Sequence, residues 1–196
     1  DETLEAYALR LENDRKQIKN WNIQVVAGRA LYSKMDGRIQ EQNCAGIVCG
    51  GTVEEVELEQ WEHVMSVNVT GTYLVCKYAM PHLKKSKGVV VNISSLVAVK
   101  GIANRAVYSA SKGAVLALSK AMAADHLKDE VRVNVVSPGT VLSPSLMQRI
   151  QSEPDPDAAM KNYVSRQPLG RLGTPEEIAA AILFASSGEA GFLDGA

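Results

Sequence analysis

No apolar run in the sequence approaches the ~20 residues needed to cross a bilayer as a helix, so a membrane partner is not expected. Basic tracts are missing too. Lys and Arg number 21 against 22 Asp and Glu, a formal net charge of −1. That balance argues against nucleic acid as a partner. Cysteine is scarce. Cys44, Cys49 and Cys76 show no pairing pattern, which points to a reducing compartment and a cytoplasmic location. No histidine follows Cys44 and Cys49 at ligand spacing, so core packing is expected of them rather than a metal. Asn68-Val69-Thr70 and Asn92-Ile93-Ser94 match glycosylation sequons, but both lie in apolar segments that read as buried. Internal repeats are absent, and Pro154-Asp155-Pro156-Asp157 reads as a loop rather than a linker between domains.

What is present is enough for one domain. Of 196 residues, 46% are hydrophobic, which can build a core. Asp1 to about Lys19 reads as a helix, with Leu4, Leu11 and Ile18 on one stripe. Ile23 to Ala27 reads as a strand. Thr52–Glu62 contains an acidic helix start, and that helix is expected to continue to about Lys84 with an interruption near Pro81. Gly88–Ser95 is β-branched, apolar and bounded by a glycine, the pattern of a buried parallel strand. Glu130–Val136 alternates into another strand and turns sharply at Pro138-Gly139. Thr174-Pro175-Glu176-Glu177 carries an N-cap threonine, a proline at the first helical position and a glutamate two residues later. Strands alternating with helices argue for βαβ units and a parallel sheet.

Chemistry concentrates in four residues. Tyr108 and Lys112 lie four apart in a run of helix formers, so phenol and ammonium share a helical face. A free phenol titrates near pH ~10, about three units too high for a base at neutral pH, a gap of roughly 4 kcal/mol. A fixed cation beside it favours the phenolate, which makes the pair a general acid/base with its own tuner. Tyr73 and Lys77 share the spacing, so context has to choose. Thirteen residues before Tyr73 stands Gln60, in an acidic stretch. Thirteen before Tyr108 stands Ser95, closing the apolar strand, and Asn68 lies 27 further back. A hydroxyl at the carboxyl end of a parallel strand is where open α/β sheets place their ligands.

Together with their neighbours these residues resemble the classical short-chain dehydrogenase/reductases. The matching strings are Asn43-Cys44-Ala45-Gly46, Val67-Asn68-Val69-Thr70-Gly71, Asn92-Ile93-Ser94-Ser95, Tyr108-Ser109-Ala110-Ser111-Lys112, Pro138-Gly139-Thr140-Val141 and Gly170-Arg171-Leu172-Gly173-Thr174-Pro175-Glu176-Glu177. The resemblance implies a Rossmann-type doubly wound parallel sheet. It implies NAD as cofactor, with NADP left open, and a likeness to the subgroup of type 2 3-hydroxybutyrate and 2-keto-3-deoxy-L-fuconate dehydrogenases. In that reading Tyr108 donates and accepts the proton, and Lys112 lowers its pKa and holds the nicotinamide ribose. Ser95 bonds the substrate oxygen and Asn68 anchors a water. Asn43, Ala45, Gly46, Pro138, Gly139, Val141 and Ser143 join Tyr108 and Lys112 in holding the cofactor. A small helical lobe at about 141–173 covers a small-molecule substrate, and the protein forms a homo-oligomer, a dimer or tetramer.

Arg105, Arg149 and Arg166 fall around that predicted pocket, and arginine's fork of donors suits a carboxylate. A small hydroxy acid or sugar acid is therefore the expected substrate. The alternatives are a neutral sugar, a 3-oxoacyl thioester, or a non-catalytic scaffold that has lost cofactor binding. The scaffold reading draws on departures from the family. No Thr-Gly-x-x-x-Gly-x-Gly loop is present to cradle a pyrophosphate, Cys44 replaces an asparagine, and Gly28 stands where an aspartate is common. Gln40-Glu41-Gln42 occupies the place of an apolar strand and fits a buried position poorly. The sequence is thus expected to be a partial domain, lacking the β-α-β start and the last strand. Alone, it is expected to bind NAD(H) weakly.

Overall fold

A computed structural model describes the backbone of residues 31–35 and 38–43 and the whole of 46–196. The expected first helix, the strand at Ile23–Ala27, Gly28, Cys44 and Ala45 lie outside the described residues. Four strands form one sheet in the order β1-β2-β3-β4. β1 (Leu31–Met35) and β2 (Arg38–Asn43) are an antiparallel hairpin. β2 runs parallel to β3 (Val89–Ile93), and β3 parallel to β4 (Arg132–Val136). The polar Gln40-Glu41-Gln42 stretch, expected to fit poorly, is a strand after all, paired with Val89–Val91. Pairing runs through the backbone, so polar side chains do not prevent β2 from bonding to β1 on one side and β3 on the other.

Six helices of two turns or more follow in the described residues. They are α1 (Leu58–Met65), α2 (Gly71–Ser86), α3 (Ala106–His126), α4 (Pro144–Gln151), α5 (Pro156–Ser165) and α6 (Pro175–Ser186). Side chains alternate across β3 and divide the core in two. Val90 and Val133 meet Cys76, Ala79, Met80 and Leu83 of α2 and Met122 and Ala123 of α3. On the other face Val89 and Val91 meet Ile182 and Ala185 of α6. Helices on both faces of parallel strands make the sheet doubly wound. Residues 194–196 run along the outer edge of β4, where Gly195 N donates to Val133 O (2.9 Å) and Val135 N to Ala196 O (2.8 Å).

Two expected features move. The break in the long helix falls not at Pro81 but at Ser66–Thr70, a π-helical turn between α1 and α2. α2 runs through Pro81. Its side chain is exposed, so the carbonyl that loses its intrahelical donor lies on the solvent side. The wide turn at 66–70 is stabilised by Thr72 Oγ1 donating to Asn68 O (2.8 Å). Likewise, Pro154-Asp155-Pro156-Asp157 is not simply a loop. Asp155 caps α5 by accepting from Ala158 N (2.9 Å), and Pro156 takes the first helical position, where its missing N–H costs nothing. The capping box at Thr174 and Glu177 forms as read from the sequence.

Candidate active site

The site assembles at the carboxyl ends of β3 and β4. β3 ends at Ile93, and the chain continues extended through Ser94 and Ser95 into a short 3₁₀ turn at Leu96–Ala98. Leu96 N donates to Pro138 O (2.9 Å), which holds the loop after β3 beside the loop after β4. The first turn of α3 then brings Tyr108 to Ser95, whose side chain hydrogen-bonds the phenol. Burial raises the phenol's pKa above its ordinary 10.0. The Ser95 hydrogen bond and then the charges of Arg149 and Arg105 oppose that rise. Those two arginines are thus close enough for their charge to act on the phenol.

Lys112 lies one turn further on and is 4% exposed. Its Nζ donates to Ile93 O at 2.9 Å, so the ammonium is anchored to the end of β3. Ser94 Oγ donates to Lys112 O (2.7 Å) and ties the same stretch of α3 to the strand. Gly46 sits against this ammonium, and a Cβ there would stand 3.0 Å from Nζ and 3.4 Å from Asn68 Oδ1. Any side chain at 46 would crowd both groups.

Asn68 projects from the π-helical turn into full burial. Its Oδ1 accepts from Ile47 N (2.7 Å), while Nδ2 donates to Ile47 O (2.9 Å) and to Ser111 Oγ (2.9 Å). Ser111 Oγ in turn donates to Tyr108 O (2.8 Å). A continuous set of hydrogen bonds therefore links the 46–47 segment, α1–α2 and α3 beneath the phenol. Sequence reasoning missed Ser94 and Ser111, although their positions beside Ser95 and Lys112 were the available signal.

The other expected site residues divide. Asn43 ends β2 opposite Asn92. Val141 bridges Gly173, and Ser143 caps α4 by accepting from Leu146 N (3.2 Å). Gly139 lies under the side chain of Gln167, another residue the sequence reading did not single out. Arg105 is half-buried, and its Nη1 donates to Asn104 O (2.6 Å) beside Gly50. Arg149 is exposed on α4. Arg166 is exposed and engaged along its own helix, stacked 5.5 Å from the Tyr163 ring centroid and donating from Nε to Asn162 Oδ1 (3.3 Å). Nothing in the described structure brings Arg166 to Tyr108 as it does Arg105 and Arg149.

A family model described as Enoyl-(Acyl carrier protein) reductase matches residues 14–196. The chain belongs to the short-chain dehydrogenase/reductase family. Among relatives of that family, it is 47% identical over 154 residues to an uncharacterized oxidoreductase of Thermotoga maritima, covering 78% of this chain and 61% of the relative. It is 42% identical over 156 residues to 2-keto-3-deoxy-L-fuconate dehydrogenase of Xanthomonas campestris pv. campestris, covering 78% of this chain and 52% of that one. A solved structure, ElxO with NADP bound, superposes with a TM-score of 0.76 at 25% identity, covering 97% of this chain and 70% of the other. The chain thus spans between half and two thirds of the length of these two curated relatives. The fold is the Rossmann-type fold of short-chain dehydrogenase/reductases.

Proposed function

We propose that the protein is an NAD(H)-dependent oxidoreductase that interconverts a secondary alcohol and a ketone on a small hydroxy acid or sugar acid. One observation carries this reading: the Tyr108 phenol is hydrogen-bonded to Ser95 at the open end of the sheet and lies within the charge influence of Arg149 and Arg105. When bound, NAD(H) supplies the acceptor or donor of hydride. The residues present suit the nicotinamide end of such a group. Gly46 keeps side chains off the Lys112 ammonium, and Lys112, Tyr108, Pro138, Gly139, Val141 and Ser143 border the same end of the sheet. Asn43 and Ala45 belong to the same proposed set. NAD is favoured over NADP only by likeness to the fuconate-type subgroup.

In the oxidative direction Tyr108, as phenolate, takes the proton of the substrate hydroxyl. Ser95 donates a hydrogen bond to the oxygen as it becomes a carbonyl. Lys112 Nζ is anchored to Ile93 O at the end of β3, one helical turn from the phenol. Asn68 holds the Ile47 backbone and, through Ser111, the turn of α3 that carries Tyr108. Arg105 and Arg149 bind the substrate carboxylate, and its arrival neutralises part of the charge that had been lowering the phenol's pKa. Family membership supports a homo-oligomer. The test is a panel of hydroxy acids, sugar acids and their uncharged alcohol or lactone counterparts, with NAD and NADP, read by reduced-nicotinamide absorbance. The reading expects acids to be preferred by at least ~10-fold in kcat/KM, the low end for a lost charged hydrogen bond. Equal use of neutral sugars would overturn the acid assignment, and no turnover of any alcohol would overturn the oxidoreductase.

A further inference from the structure

We propose that Gln167 is a positioning residue that latches the end of α5 onto the Pro138–Ser143 loop and so sets the nicotinamide end of the site. The inference rests on the cofactor reading of that loop given above. Gln167 is held by its own backbone. Its N–H donates to Val164 O (2.9 Å) and its carbonyl accepts from Gly170 N (2.9 Å), a tight turn in which Gly170 takes φ +66. From that fixed base the side-chain amide makes two bonds to one residue. Nε2 donates to Thr140 Oγ1 at 2.9 Å, and Oε1 accepts from Thr140 N at a longer 3.3 Å. The orientation of the amide is determined, because a backbone N–H only donates and must face the oxygen.

Two further observations make the contact specific. A Cβ on Gly139 would stand 2.8 Å from Gln167 Oε1, so the amide reaches the loop only because residue 139 has no side chain. Thr140 O accepts from Gly173 N (3.0 Å), and Leu142 N donates to Gly173 O (2.8 Å). Every polar group of Thr140 is therefore bonded to the 167–173 segment. The loop after β4 is thus held on one side by Pro138 against Leu96, and on the other by Thr140 against Gln167 and Gly173. Removing the amide leaves only the backbone contacts to Gly173 on that second side. The loop then gains freedom where Gly139 and Val141 border the cofactor.

The test uses the native protein with Gln167→Met, which keeps length and loses both bonds, together with Thr140→Val and Thr140→Ser. The first readout is amide hydrogen exchange without cofactor. Gln167→Met and Thr140→Val should speed exchange at residues 140–142 by about 3- to 10-fold, the scale of a lost neutral hydrogen bond, and leave β3 unchanged. Thr140→Ser, which restores the hydroxyl, should match the parent. The second readout is NADH affinity, which should weaken by a similar factor in the first two variants. The double variant Gln167→Met with Thr140→Val should be no worse than the weaker single variant. Parent-like exchange at 140–142, or additive effects in the double variant, would overturn the latch. A general rise in exchange that includes β3 would also overturn it, because it marks a purely structural role. Should the parent itself fail to bind NADH, the cofactor reading falls, and the exchange measurements still decide whether Gln167 holds the loop.

Discussion

The chain contains the same Tyr-x-x-x-Lys spacing twice, at Tyr73–Lys77 on α2 and at Tyr108–Lys112 on α3, and the two pairs have opposite surroundings. Tyr73 is 46% exposed, and Lys77 hovers 5.8 Å from its ring centroid in a solvent-facing cation–π contact. Lys112 is buried and anchored to Ile93 O, and the Tyr108 phenol meets Ser95. Helical spacing puts both groups of each pair on one face and does no more. What lies opposite decides the chemistry. For α2 that is the exposed surface of the chain. For α3 it is the carboxyl end of a parallel strand, with Asn68 and Ser111 bonded beneath.

The largest effect should come from the lysines. Lys112→Met removes the ammonium anchored to Ile93 O, to which the proposed mechanism assigns both the support of Tyr108 and the hold on the nicotinamide end. In the native protein kcat/KM should therefore fall by about 10³-fold, from ~10² of lost acid/base catalysis and ~10 of lost binding. Lys77→Met should change it less than about twofold. Comparable losses in both variants would erase the distinction between the pairs.

Arg149→Met sharpens the contrast by removing a charge that acts on the Tyr108 phenol. KM for an acid substrate should rise by about 10- to 150-fold. The sign of the pH effect is also fixed. Arg149 opposes the rise caused by burial, so its loss raises the Tyr108 pKa further, and the pH at which alcohol oxidation reaches its plateau should move up. Steady-state rates across pH check both points, and a plateau moving down would reject the assignment.

The smallest effect lies at the start of α6. The Arg171 guanidinium grips the Glu177 carboxylate at 2.6 and 2.9 Å, and the Thr174 backbone adds a further bond. They pull the carboxyl from 4.5 to about 2. A lowered carboxyl stabilises the fold above its ordinary pKa, and that contribution fades as pH falls through about 2. Melting temperatures should show the parent slightly ahead of Glu177→Gln near neutral pH. The margin should be gone by about pH 2, with turnover at neutral pH unchanged. Both partners are solvent-exposed, which keeps the margin small.

Much of this was legible in the sequence. The β-branched run at Val89–Ile93 and the capping box at Thr174 each carry a local pattern, and each forms as read. The π-helical turn at Ser66–Thr70 carries none. It is stabilised by Thr72 and by long-range bonds from Asn68 to Ile47 and Ser111, which no local window contains. Pro81 drew attention to the wrong place, because proline on a solvated face interrupts a helix less than its reputation suggests. Arg149 and Arg166 looked equivalent along the chain. Only the fold sends one toward the phenol and stacks the other on Tyr163.

The central claim is that Tyr108, and not Tyr73, moves the proton. Single-turnover rates of alcohol oxidation, with NADH affinity measured alongside, test it directly on the native protein carrying Tyr108→Phe or Tyr73→Phe. The account predicts a loss of at least ~10²-fold for Tyr108→Phe at nearly unchanged NADH affinity, and a rate within about twofold of the parent for Tyr73→Phe. A Tyr108→Phe rate within about threefold of the parent would contradict it.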